Sequence, residues 1–143
     1  MTFYESLVRP LLFLLPPEPA HKLGRWALAG KQPWQAMSGR FQVRDSRLET
    51  EVAGLRLRSP IGLSAGFDKD VETLPGVSRL GFGVVTVGTI MPKPRAGNPG
   101  PRLLRRTREM GLVNSLGLPS KGLEYAVRNL SRHRESHPVG GPP

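Results

Sequence analysis

The chain has 143 residues, no cysteine and a formal net charge of +10 at pH 7. The lack of cysteine excludes disulfides, thiolate metal sites and a cysteine nucleophile. The length falls short of the roughly 250 residues that a closed (β/α)8 barrel takes, and no run of eighteen apolar residues is present to cross a bilayer as a helix. Residues 1–35 read as two short helices. In the first, Phe3, Leu7, Leu11, Leu12, Phe13 and Leu15 leave little polar face beyond Glu5 and Arg9, and Pro16-Pro17 ends it. The second, residues 17–29, sets Ala20, Leu23, Trp26, Ala27 and Leu28 against His21, Lys22 and Arg25. This is an amphipathic helix with a tryptophan suited to an interface. Packing against a core and contact with a membrane surface are both open to it. A secretory signal is disfavoured, because no basic segment precedes the apolar run.

Residues 31–47 are polar and read as a helical connector and loop, with Trp34 and Met37 available for packing. Residues 48–52 and 55–58 alternate apolar and polar side chains around Ala53-Gly54, which predicts a β-hairpin. Residues 61–64 form an apolar run between Pro60 and the Ala65-Gly66 pair, which predicts a short buried strand. Gly66, lacking a Cβ, lets a flat ring or a phosphate approach the backbone. Asp68 and Lys69 follow at the strand's carboxyl end, where α/β folds carry their chemistry. The competing reading is an ordinary strand-to-helix turn with a solvated lysine. A helix is predicted over residues 71–80 from Leu74, Val77 and Leu80, with Pro75 blurring its start. A second strand follows over residues 84–87, ending at Gly88-Thr89. The loop over residues 91–101 is stiffened by four prolines. Residues 102–105 and 112–113 are expected to pair. Pro119-Ser120 is expected to open a helix reaching residue 134, with Leu123, Ala126, Val127 and Leu130 on one face. Residues 137–143 are rich in glycine and proline.

Three stretches, in order, resemble the dihydroorotate dehydrogenase family. They are Ala65-Gly66-Phe67-Asp68-Lys69; the run from Gly81 to Thr89 with the following Pro92, Pro94, Gly97-Asn98-Pro99 and Pro101-Arg102-Leu103; and Asn114-Ser115-Leu116-Gly117-Leu118. The pattern Arg9-Pro10-Leu11-Leu12-Phe13 with Pro17-Glu18-Pro19-Ala20-His21 resembles the amino-terminal extension of the membrane-associated, quinone-dependent class 2 members. The resemblance implies an α/β fold: a helical extension for membrane contact and quinone access over residues 1–40, then the first strands and helices of an FMN-binding TIM barrel over residues 41–143, truncated. It implies oxidation of dihydroorotate to orotate in pyrimidine synthesis, with FMN as cofactor and quinone as electron acceptor. The location it implies is peripheral, on the cytoplasmic side of a bacterial inner membrane. Ala65, Gly66, Phe67, Asp68, Lys69 and Thr89 would contact FMN; Lys69, Asn114, Ser115, Leu116, Gly117 and Leu118 would contact the substrate. The serine base, a second flavin lysine, further asparagines and the loops gripping the FMN phosphate belong to later parts of the family's barrel, so no catalytic base is assigned here. Val71 stands where the family commonly has glycine, and Ser115, Leu118 and Pro119 stand where class 2 enzymes often have Arg, Phe and Asn.

The charge supports a different reading, a basic nucleic-acid-binding module, since clustered Lys and Arg neutralise phosphates. The arginines fall in three separate groups, around Arg40 to Arg47, Arg102 to Arg108 and Arg128 to Arg134, with no recognised nucleic-acid motif joining them. No nucleic-acid partner is therefore expected. An inactive fragment of the dehydrogenase is the remaining alternative.

Overall fold

The computed structural model describes residues 3–136. Helices come first. A π-helical turn over Tyr4–Val8 runs directly into α1, Arg9–Leu14. Pro10 has no amide hydrogen, and the amide of Arg9 reaches back five residues to the Tyr4 carbonyl, which widens the turn just ahead of it. Helix α2 spans Pro17–Ala29, the expected bounds, with Pro17 in the first turn where a missing N–H costs nothing. Helix α3, Trp34–Phe41, answers to the expected connector, and its Trp34 indole donates to the Ala27 carbonyl at 2.7 Å.

A 3-10 turn at Ser46–Leu48, capped by the Asp45 carboxylate, leads into the hairpin of β1, Thr50–Val52, and β2, Leu55–Leu57. Both turn residues have positive φ, Ala53 at +50° and Gly54 at +76°, the hand that suits a two-residue hairpin. The next two strands are short: β3, Gly62–Leu63, pairs in parallel with β4, Val84–Val85. Strand β3 was expected to be buried, yet Ile61 beside it is 66% exposed. The reason is architectural: among the described residues this sheet has two strands, so each keeps an open edge.

The expected helix over residues 71–80 is a single turn, α4, Leu74–Val77. Its first residues are diverted into a tight turn in which the Asp68 carboxylate accepts hydrogen bonds from the amides of Glu72 and Thr73, at 2.8 and 2.9 Å. Val71 sits in that turn at φ +60°, a costly conformation for a β-branched side chain, held in place by burial. Helix α4 packs against the end of α2. A Cβ on Gly76 would lie 2.5 Å from the Leu28 carbonyl oxygen, so only glycine allows the approach.

Strands β5, Leu103–Arg106, and β6, Gly111–Asn114, form an antiparallel hairpin with Leu103 opposite Asn114. Helix α5 runs over Leu123–Ser136 and begins later than Pro119, because residues before it are committed elsewhere. Ser120 bridges Arg95 through two backbone hydrogen bonds, its hydroxyl donates to Asp70, and the Lys121 amide donates to the same carboxylate. Of the face expected to be apolar, Ala126 is buried, while Leu123, Val127 and Leu130 remain exposed. Residues 137–143 lie outside the described residues.

Candidate functional site

The residues after β3 and after β4 are laced together. The Gly66 amide donates to the Gly88 carbonyl and the Gly88 amide to the Asp68 carbonyl, both at 2.8 Å. This fixes Gly66, Lys69 and Thr89 side by side at the carboxyl ends of the parallel pair. The opposite wall comes from the segment after β6. There the Asn98 amide donates to the Leu116 carbonyl at 3.0 Å, and its side-chain nitrogen donates to the Ser115 carbonyl at 2.8 Å. A Cβ on Gly117 would meet the Asn98 side chain at 2.5 Å, so the two loops close only on a glycine, here at φ +69°. Between these walls lies a cavity of about 350 Å³. Gly66, Lys69 and Thr89 line one side; Asn114, Ser115, Leu116, Gly117 and Leu118 line the other.

Three of the candidate residues lie outside the lining of this cavity. Asp68 is buried with its carboxylate on backbone amides, so it shapes the turn that aims Lys69. Phe67 turns to the amino-terminal helices, its ring edge-on to His21 with centroids 5.9 Å apart. Ala65 is exposed and outside the cavity lining.

Lys69 donates from Nζ to the Gly66 carbonyl at 2.5 Å. Partial burial, and then the positive charges of Arg25 and Arg102, hold its ammonium below the ordinary lysine range, against the opposing pull of Asp70 and Asp68. His21 is held below the ordinary histidine value by burial first, then by Lys69 and Arg25, with Glu18 opposing. The site is thus electropositive, with helix α2 supplying part of the charge. An arriving anion relieves repulsion that is already present.

Sequence reasoning missed Asn98 and Arg102 as site residues. Asn98 lines the cavity. Arg102 pairs with Glu18 at 3.0 Å and donates to the carbonyls of Ala96 and Asn98, so it buttresses the loop from behind. The signal was available in the Gly97-Asn98-Pro99 and Pro101-Arg102 stretches, which had been read for their order and not for their contacts.

Residues 47–140 match the family described as Dihydroorotate dehydrogenase. This chain belongs to the dihydroorotate dehydrogenase family. It is 39% identical over 137 residues to the dihydroorotate dehydrogenase (quinone) of Christiangramia forsetii, covering 92% of this chain and 40% of that protein. It is 41% identical over 128 residues to the enzyme of the same name from Rhodopseudomonas palustris, covering 90% and 34%. Among solved structures, the ligand-free DHODH of Eimeria tenella superposes with a TM-score of 0.74 at 35% identity, over 88% of this chain and 35% of that one. The same protein in complex with ferulenol gives 0.73 at 36% identity, over 87% and 33%. The chain therefore spans about two fifths or less of the relatives it matches. Among the described residues no helix is long and apolar enough to cross a membrane.

Proposed function

We propose that this chain forms the first part of a TIM-barrel dehydrogenase that oxidises dihydroorotate to orotate with FMN and passes the electrons to quinone. The observation that carries this reading is the convergence of three separated stretches, Gly66 with Lys69, Thr89, and residues 114–118, on one electropositive cavity. Its volume lies within the range of small-molecule sites. Its polar groups are an ammonium, two hydroxyls and amide side chains, and its glycine walls leave room for a flat ring, so the residues present fit a flavin ring together with a small anionic substrate. FMN, when bound, supplies the two-electron acceptor.

The chain's own residues bind and orient. Lys69 neutralises the substrate carboxylate, with Arg25 and Arg102 adding to the potential around it. Asn114 offers both a donor and an acceptor to the pyrimidine ring, which has both kinds of group. Thr89 hydrogen-bonds the flavin, and Asn98 holds the substrate wall closed. The proton leaving substrate C5 goes to a base that this chain does not contribute.

Residues 1–40 form the quinone-access extension, which rests on the cytoplasmic side of a bacterial inner membrane. Support comes from Phe3, Leu7, Leu11 and Leu14, spaced four, four and three apart and all half or more exposed. An apolar stripe of this kind on a short helix is suited to lying in a membrane surface.

Lys69→Ala in the complete enzyme tests the assignment. Leaving one partner of a desolvated charge pair alone costs about 2 to 5 kcal/mol, so kcat/KM is expected to fall by roughly one and a half to four decades while FMN stays bound. Lys69→Arg should recover only part of it, since a planar fork does not replace a compact ammonium. Near-normal flavin reduction by dihydroorotate in stopped flow, at full FMN occupancy, would return Lys69 to the role of a solvated turn residue. A second reading, that the 143-residue chain by itself is inactive, is favoured by its share of the relatives' length. Stoichiometric FMN and turnover in the purified chain would refute it.

A further inference from the structure

Away from the site above lies a cleft of about 740 Å³ between α2 and α5. One wall carries Lys22, Arg25 and Lys31; the other carries Lys121 and Arg132. Glu72 is the one carboxylate in the lining, and it is already engaged by Arg25, Lys121 and the Tyr125 hydroxyl. Lys22, Lys31 and Arg132 therefore face the cleft with no carboxylate partner among the described residues. A concave surface with one sign of charge focuses its field and draws in a counter-ion.

We propose that this cleft binds the phosphate of an anionic phospholipid headgroup. Phosphate suits it because it accepts several charge-assisted hydrogen bonds at once and matches the forks of Arg25 and Arg132. A membrane is favoured over a soluble source by Trp26, which stands on the same wall and is 76% exposed, with Leu23 exposed nearby in the same helix. Exposed tryptophan beside lysine and arginine is the side-chain set of an interfacial helix, with the ring at headgroup level. The proposal rests on the membrane contact argued above for the source of its phosphate. It adds a specific preference for anionic lipid, built from residues of α2 and α5 that are remote in sequence.

The test compares two charge-matched double variants of the 143-residue chain on vesicles of phosphatidylcholine, with and without phosphatidylglycerol. Lys22→Gln/Arg132→Gln empties the cleft of two cations; Arg44→Gln/Arg58→Gln removes two exposed cations that line a separate cavity. At about a fivefold effect per cation near an anionic surface, the cleft variant should lose roughly thirtyfold in affinity for phosphatidylglycerol vesicles. The control pair should lose less than about threefold, because it leaves the cations of the cleft in place. Glycerol 1-phosphate should compete for the unmodified chain and fail to bind the cleft variant. Equal losses in the two pairs would overturn the cleft and leave the apolar contact standing. Leu11→Ser/Leu14→Ser separates the readings in the other direction: it should weaken binding to both vesicle types and leave the preference for phosphatidylglycerol intact, and no change would overturn the apolar contact alone. Tight glycerol 1-phosphate binding without any vesicle preference, or displacement from vesicles by a single-stranded oligonucleotide, would overturn the lipid assignment. All the substituted residues are exposed or half-exposed, and circular dichroism of each variant checks that the fold is kept.

Discussion

The helices before Gln42 and the stretch from Asp68 to Ala126 are held by opposite means. None of the residues of α1, α2 or α3 is buried. These helices are fastened from outside: Glu18 to Arg102, Arg25 to Glu72, and the carbonyls of Leu12, Phe13 and Leu15 to the Arg105 guanidinium. The second stretch contains the buried side chains, and more of them are polar than apolar: Asp68, Asp70, Thr73 and Ser120 against Val71, Val77 and Ala126. Apolar burial is indifferent to angle, whereas a carboxylate holding two amides is not. The stretch that aims Lys69 is thus built on buried directional contacts, and the helices around it are fastened by ion pairs and hydrogen bonds outside the buried residues.

The sharpest way to break this contrast is Asp68→Ala. It strips the amides of Glu72 and Thr73 of a charged acceptor, and hydrogen bonds to charged groups contribute about 1.5 to 3 kcal/mol each. A loss of about 3 kcal/mol or more in urea unfolding is expected, with Lys69 no longer held beside Gly66. If Asp68→Ala costs no more than Glu18→Ala, the two regions are not held differently.

Gly76→Ala probes the seam between the regions. Its Cβ would stand 2.5 Å from the Leu28 carbonyl and 2.9 Å from the Trp34 ring. Helix α2 must move, and overpacking of this kind costs about 1 to 3 kcal/mol, more than the roughly 1 kcal/mol that alanine gains over glycine in a helix. A changed Trp34 emission with a lowered unfolding midpoint is the expected result.

The smallest effect concerns pH. Burial pushes the Glu72 carboxyl up, but hydrogen bonds from Lys121 and Tyr125 and the charge of Arg25 outweigh it and hold the group below its ordinary value. A carboxyl depressed on folding contributes stability that is complete above its unfolded pKa and disappears as pH falls through the folded one. Acidification below the ordinary glutamate range should therefore lower Tm, and Glu72→Gln should flatten that part of the profile. An unchanged slope would mean that the Arg25 and Lys121 contacts are too solvated to matter.

What could be read from the chain alone follows the same division. Helix α2 and the Ala53-Gly54 hairpin were legible because local rules decide them: a proline in the first turn, an amphipathic spacing, and alternating apolar and polar residues on either side of Ala53-Gly54. The helices expected at Val71 and at Pro119 start late because side chains and backbone outside them claim their first residues. Asp68 claims the amides of the first; Arg95 and Asp70 claim Ser120 and Lys121 ahead of the second. The same reason hid Asn98, whose cavity position is set by Ser115 and Leu116, some seventeen residues on. Lys69, Thr89 and the run from Asn114 to Leu118 were recognisable by family pattern, and the structure brings them to one cavity. Phe67 and Asp68 belong to the same pattern and point away from it, a distinction that pattern alone does not carry.

Arg102 grips Glu18 with one face of its guanidinium and the carbonyls of Ala96 and Asn98 with another. It is a rivet through two layers, and rivets make poor hinges for protein engineers. A hybrid that borrows the helical leader from one relative and the following residues from another must bring Glu18 and Arg102 across as a pair, or the loop bearing Asn98 loses its backing. For the same reason, deleting the helical leader reports on more than the membrane contact proposed for it: it also loosens one wall of the cavity beside Lys69.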